Sequence, residues 1–434
     1  MRLQKILRFS KLCSFLIAYR RIVRVAIPNI RSKLYITLMD TNNPNTNNTF
    51  NEHQNPIKKL LRKMKMSLTG KPSKKRLFIV SLLSLLVLGG GVGALQIYGP
   101  KAPEPDPVPE VVSNYVPPPP APTTVASKLT GVQIEPALND RPVTGIMIEN
   151  SIDARPQSGL TDAGVVFEAI AEGGITRFLA LFQEAQPDYI GPIRSARPYY
   201  VRWAAGFNAG YVHSGGSGEA LALISDLGVR DMDHGKHSGS FDRISSRYAP
   251  HNVYTSMARL DELRNSLGYD KGTVDGFDRI PPPETDPRKK AAAEAKQTAT
   301  PPAEKASTIS FDISGSNYNT SYTYDANLNN YPRVMAGQPH TDERSGKQIS
   351  PNVVIAMEVP YSIHPDGVHS VYDNVGTGPV TVFQNGTVIK GGTWVKDSDT
   401  APLKFKNSDG SPLLLQPGQT WITAIQGGRF SYQP

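Results

Sequence analysis

Arginines and carboxylates placed beside glycine turns are the most chemically suggestive feature of this sequence. Glu172-Gly173-Gly174-Ile175-Thr176-Arg177 sets an acid and a base on either side of a turn, and Arg194-Ser195-Ala196-Arg197 follows Gly191-Pro192 near an expected helix start. Arg155 lies in Ala154-Arg155-Pro156-Gln157-Ser158-Gly159. Guanidinium forks and helix N-termini both suit carboxylate or phosphate groups. Arg155, Arg177, Arg194 and Arg197 are therefore the candidate ligand-binding residues, with an anionic glycan or polymer as the ligand. The competing reading is structural: Arg177, Arg194 and Arg197 pair with Glu149, Glu168 and Glu172 and organise loops.

Two histidines offer proton transfer. His213 ends an apolar run and enters the turn SGGSG, and His251 lies in APHNVYTS. With Glu172 or Glu168 they can form a general acid/base set, so His213, His251 and Glu172 are the catalytic candidates of a hydrolase acting on envelope glycan or phosphodiester bonds. Asp231, Asp233, His234 and His237 carry metal-ligand chemistry, but their spacing fits no closed zinc site, and no metal or cofactor is expected. HExxH, the Walker lysine loop and GxSxG are missing from the sequence, and SxxK from its exported part, so common zinc-protease, nucleotide-hydrolase and serine-acyltransferase readings fall away. Trp394, Trp421, Tyr318, Tyr322 and Tyr324 can stack on sugars or pack a sheet face. His340, Asp342 and Glu343 are close in sequence, with a spacing that is not diagnostic.

The elements that must position these groups read as follows. VTGIMI, GVVFEAIA, ITRFLALF and AGYVH are short strand candidates. Ser195–Ala205 reads as a helix interrupted near its start by Pro198, Glu219–Leu227 as a second helix, and Met257–Leu267 as a third with Ser256 as N-cap. Strands alternating with helices over 129–280 predict an α/β domain with a mixed sheet. Residues 281–307 are a low-complexity linker. Residues 308–434 hold many short alternating strands, including a type I′ hairpin at Asn385-Gly386, and predict a mostly antiparallel β-domain.

Charge places this α+β assembly outside the cytoplasmic membrane. The formal net charge is +9, yet residues 1–76 hold 18 Lys and Arg against only Asp40 and Glu52. The larger remainder is mildly acidic, which argues against nucleic acid as a partner. Leu77–Leu95 is uncharged and spans roughly 28 Å as a helix, close to the bilayer's hydrocarbon thickness. A basic flank of this kind stays cytoplasmic. The expected topology is a basic, largely disordered cytoplasmic tail (1–76), a transmembrane helix (77–97), a Pro-rich stalk (98–128) and exported folded blocks. A cleaved signal peptide is the rival reading, with Val92-Gly93-Ala94 as its cleavage site; the long preceding segment favours an uncleaved anchor. Cys13 precedes the apolar run and no cysteine follows it, so the exported part has no disulfide framework and no lipid-accepting cysteine.

The phrases RPVTGIMIENSIDARPQSGL, GVVFEAIAEGGITRFLALF, IGPIRSARPYY, YVHSGGS and APHNVYTS occur in that order, followed by YPRVMAGQPHTDERSG, NVVIAMEV, GGTWVK and LQPGQTWI. Together they resemble the YerB-like family of bacterial putative lipoproteins, domain of unknown function 3048, with its N-terminal part at 129–280 and its C-terminal part at 308–434. The resemblance implies an envelope protein and carries over no catalytic residue. The expectation is an extracytoplasmic protein held by one span that binds an anionic cell-wall polymer; a hydrolase, or a scaffold for another envelope protein, are the alternatives.

Overall fold

The computed structural model of the protein describes residues 123–283 and 303–434. The basic tail, the apolar run at 77–97, most of the stalk and linker residues 284–302 lie outside the described residues. Among the described residues no helix is long and apolar enough to cross a membrane.

Runs rich in Val, Ile, Phe and Thr, which suit a pleated buried surface, form a ten-stranded mixed sheet. In chain order its strands are β1 (Thr144–Glu149), β2 (Val165–Glu172), β3 (Ile175–Phe182), β4 (Gly210–His213), β5 (Arg230–Asp233), β6 (Val353–Glu358), β7 (Gly376–Gln384), β8 (Thr387–Lys396), β9 (Lys404–Lys406) and β10 (Thr420–Ile425). They lie side by side in the order β9-β8-β7-β6-β10-β2-β3-β1-β4-β5. β1, β4 and β5 run parallel, as do β6, β10 and β2. β3 runs antiparallel between β2 and β1. Six strands therefore point the same way and end on one edge. The β7–β8 hairpin turns at Asn385 and Gly386, whose φ values of 56° and 69° are the pair a type I′ turn requires.

The α+β class holds, but the two sequence blocks do not form separate sheets. β10, from the second block, lies between β6 and β2 and is parallel to both; Ile422 faces Ile355 on one side and Phe167 on the other. All six residues of β10 are buried. Burial on both faces is the mark of an interior parallel strand, whose sequence reads as a nearly continuous apolar run rather than an alternation. The antiparallel part of the second block is a separate five-stranded sheet built from Thr308–Phe311, Thr320–Thr323, Arg333–Met335, Gln338–Pro339 and Phe430–Gln433. Asp231 and Asp233, two of the residues with metal-ligand chemistry, lie in strand β5.

Three helices matter for the site: α1 (Pro198–Gly206), α2 (Gly218–Asp226) and α3 (Met257–Ser266). Pro198 does not interrupt α1; it starts it, where its missing N–H costs no hydrogen bond. Ser217 caps α2 by accepting from Ala220 N–H, and Ser256 caps α3 by accepting from Arg259 N–H. α1 buries Tyr199, Tyr200, Val201 and Trp203, and Trp203 stacks on Phe167 of β2 with centroids 4.9 Å apart. Burying one large side chain in this way contributes on the order of 2–3 kcal/mol. Trp394, Trp421 and Tyr322 are core residues.

Candidate functional site

β1, β2, β4 and β5 end in Glu149, Glu172, His213 and Asp233. Sites in sheets with parallel strands gather beyond such carboxyl ends, where loops and helix N-termini converge. Arg177 joins this edge because β3 starts there, with Arg177 opposite Glu149 in register.

The expected arginine group is present, and most of it is already paired. Glu172 accepts from Arg177 Nη2 and from Arg197 Nη2, each at 2.5 Å. Arg177 also donates to the Ser195 carbonyl at 2.9 Å, and Arg197 to the Ala196 carbonyl at 2.7 Å. Burial raises the pKa of the Glu172 carboxyl, but the two guanidiniums outweigh it and hold it below the usual carboxylate value. Arg177 is thus a brace for the 195–197 loop. Arg194 Nε lies 3.2 Å from Glu149 Oε1. Arg155 donates to the Asn150 carbonyl and side-chain oxygen at 3.0 and 3.1 Å, and its guanidinium lies 5.0 Å from the Tyr318 ring centroid, a cation–π distance. The structural pairing thus holds for Glu149 and Glu172. Glu168 instead bonds Arg333 at 2.5 Å, with neither side chain exposed.

The three catalytic candidates bond separate partners rather than one another. Glu172 is bound by its two arginines. His213 is fully buried, with Nδ1 2.8 Å from the Gly215 carbonyl and Nε2 3.0 Å from Asp231 Oδ1. Both nitrogens face acceptors, so the ring is held in place between the Gly215 turn and β5. Asp231 also accepts from Lys236 Nζ at 2.6 Å; burial raises its pKa, but these hydrogen bonds prevail and bring it down to about 2. His251 is different. Its Nδ1 lies 3.0 Å from Glu149 Oε2, Ser151 Oγ donates to the same carboxylate at 2.9 Å, and Nε2 takes no hydrogen bond among the described residues. The ring is half-buried, so a buried acid orients a histidine whose other nitrogen stays free.

A cleft of about 350 Å³ opens on this edge where α1 and α2 both begin. Arg197 and Ser217, the N-caps of the two helices, line it, together with Tyr199, Arg202 and Glu219. Its far wall is the hairpin of Tyr361–Ile363 and Ser370–Tyr372, which contributes His364, Asp366 and His369. Tyr199 and Tyr372 form a floor with centroids 4.9 Å apart; the Tyr199 hydroxyl donates to the Ile170 carbonyl, and Ile170 N–H donates to the Tyr372 hydroxyl. Arg202 is tied to Asp399 at 2.7 Å. Sequence reading missed Arg202 and the whole hairpin wall; the available signal was the turn His364-Pro365-Asp366-Gly367 with His369 following. It also left His340, Asp342 and Glu343 without a role. They clasp the 157–159 segment, through His340 to Gln157, Asp342 to Gly159 N–H and Glu343 to Ser158. Among the described residues no three His, Cys, Asp or Glu side chains have a metal-holding arrangement.

Fold and site define an α+β protein with a polar edge at the carboxyl ends of a mixed sheet. The chain matches the family described as "Protein of unknown function (DUF3048) N-terminal domain" over residues 129–270 and its "C-terminal domain" over 309–422. It belongs to that family. It is 32% identical over 301 residues to the "Putative lipoprotein YerB" of Bacillus subtilis (strain 168), an alignment covering 68% of this chain and 85% of that protein. The crystal structure of YerB protein from Bacillus subtilis matches with a TM-score of 0.62 at 29% identity, covering 71% of this chain and 100% of that one.

Proposed function

We propose that this is an extracytoplasmic envelope protein, held at the membrane by residues 77–97, whose folded part binds an anionic ligand of the cell envelope. The relative's name as a lipoprotein and the basic segment before the apolar run support the location. One observation carries the binding reading: two nine-residue helices direct their N-termini, with Arg197 and Arg202, into a single cleft. Among the described residues the Tyr199, Gly218 and Glu219 amides donate to no protein group, and the helix dipoles add positive potential where they emerge. Arg197 is the direct contact in this reading; Arg177 braces it through Glu172, and Arg194 and Arg155 stand at the neighbouring end of β1. The test is retention of anionic cell-wall polymer by the full chain in mild detergent. Replacing Arg202 by Gln, or Arg194 and Arg197 together by Ala, lowers affinity about 10- to 100-fold, the usual effect of losing a charged hydrogen bond. No retention by the intact chain, or undiminished retention by these variants, rejects the site.

A second reading, hydrolysis, is favoured by the His251–Glu149 pair rather than by His213 or Glu172. His251 Nε2 would accept a proton from water attacking an ester or phosphodiester. Turnover of a chromogenic diester that His251→Asn does not reduce removes this reading.

A further inference from the structure

β4 and β5 deliver a serine and a histidine side by side, in a place used neither by the cleft nor by the His251–Glu149 pair. Ser214 and His234 are the first residues past the carboxyl ends of these two parallel neighbours, and His234 N–H donates to the His213 carbonyl at 2.8 Å. Ser214 Oγ lies 3.1 Å from His234 Nδ1. Both residues are half-buried, and neither lines the cleft between α1 and α2. No short sequence spacing reveals the pair, because its members follow different strands and stand 20 positions apart.

The surroundings suit a nucleophile and its base. Ser214 Oγ has no other hydrogen-bond partner among the described residues, and His234 Nε2 has none. With its proton on Nε2, the imidazole accepts the serine hydroxyl proton at Nδ1. The ring packs edge-on against Phe241, with centroids 5.3 Å apart. Burial, reinforced by the Arg243 charge and opposed by Asp233, holds its pKa below the usual histidine value, so it is neutral and available as a base at neutral pH. The Ser214 amide is tied to the Arg194 carbonyl at 3.0 Å, and the chain turns at once through Gly215, at a φ of 65°, toward α2. A sharp turn from strand to helix presents a serine hydroxyl at the edge of a sheet. Gly215 N–H is held by Asp233 Oδ1 at 2.9 Å, whereas Gly216 N–H donates to no group among the described residues and is the candidate donor to a developing oxyanion.

We propose that Ser214 is the nucleophile and His234 the general base of a site that hydrolyses carboxylic esters. The proposal goes beyond the anion-binding reading and does not depend on it. His234 Nδ1 takes the Oγ proton as Oγ bonds to the ester carbonyl carbon, whose π pair moves to oxygen. The bond from that carbon to the alcohol oxygen then breaks, and the alcohol leaves with the proton from His234. Water, deprotonated by the same nitrogen, attacks the acyl-serine; Oγ leaves and recovers that proton, so the products are an acid and an alcohol. No carboxylate meets His234 Nε2 among the described residues. The imidazolium therefore lacks the support that a triad gives it, which suits oxygen esters better than amides with their poorer leaving group.

The test treats the full chain in detergent with an alkyl fluorophosphonate. Oγ bonds to phosphorus, fluoride leaves, and the Oγ proton passes to His234. Mass spectrometry of the digested protein locates the adduct at Ser214. The labelling rate falls toward acid with a midpoint below the usual histidine value of about 6.5. His234→Asn lowers the rate about 100-fold or more and removes that pH dependence. A native protein with no adduct at Ser214, or labelling that does not fall toward acid, overturns the proposal, and both are read without any variant. Undiminished labelling of His234→Asn overturns it as well.

Discussion

Glu168 and Arg333, 165 positions apart in the chain, meet at 2.5 Å with both side chains fully buried. Their remaining atoms are satisfied on every side. Thr176 Oγ1 and Trp421 Nε1 donate to Glu168, and Arg333 donates to the Tyr322 hydroxyl and to His340 Nδ1. Because His340 accepts at Nδ1, its proton sits on Nε2 and is donated to Gln157 Oε1 at 2.9 Å. Burial, reinforced by the Arg333 charge, holds the His340 pKa well below the usual histidine value. The Arg333 guanidinium also lies 4.4 Å from the Trp421 ring centroid. This network joins the main sheet to the five-stranded sheet and to the 150–157 segment.

Breaking one side of that pair strands the other charge. Arg333→Met or Glu168→Leu alone is expected to cost about 3–5 kcal/mol, whereas the double replacement costs far less. Urea unfolding of the four proteins of the cycle measures it; additive single effects would rule out the coupling.

Lys396 supplies a pH dependence. It is fully buried, and among the described residues its Nζ has one acceptor, the Ala401 carbonyl at 2.5 Å. Burial lowers its pKa from the usual 10.5 to about 8. Between those values the unfolded chain binds more protons than the folded one, so this group makes stability rise with pH from about 8 to about 10.5. Below pH 8 it destabilises by up to about 3 kcal/mol. The stability difference between the native protein and Lys396→Met, followed by denaturant titration across that window, isolates the effect; a difference that stays flat with pH contradicts it.

Gly378 has no room for a side chain. It faces Trp394 across the β7–β8 ladder, and an added Cβ would lie 2.6 Å from Trp394 Nε1 and 2.9 Å from the Glu358 carbonyl. Those two atoms hydrogen-bond each other at 2.8 Å. Gly378→Ala is therefore expected to destabilise by about 1–3 kcal/mol, read from the denaturation midpoint and from tryptophan fluorescence. An unchanged midpoint would show that the ladder can yield there.

Glu149 and His251 form the orienting pair of the hydrolytic reading. Glu149→Gln should remove the charge-assisted partner of the His251 Nδ1 proton. The hydrogen-bonded imidazole proton resonance, assigned by its loss in His251→Asn, should then disappear or shift upfield. Its persistence unchanged would mean that Glu149 does not hold the ring.

Much of this protein is legible in the sequence alone, wherever the cause is local. Short β-branched runs set the strands, Asn385-Gly386 sets a type I′ turn through two positive φ angles, and Ser256 caps α3. The arginine and acid residues of the site edge are visible too, because glycine turns mark where chains end and side chains gather. Which acid each arginine takes is not local. Glu172 rather than Glu168 holds Arg177 and Arg197, because Glu168 is claimed by Arg333 from the second block. Sequence periodicity reports the burial of a face and not the identity of a partner strand, so the seat of β10 between β6 and β2 emerges only when all ten strands pack. The cleft is likewise a tertiary product: α1, α2 and the 361–372 hairpin are unremarkable segments apart, and their convergence brings two helix N-termini to the hairpin that carries His364, Asp366 and His369.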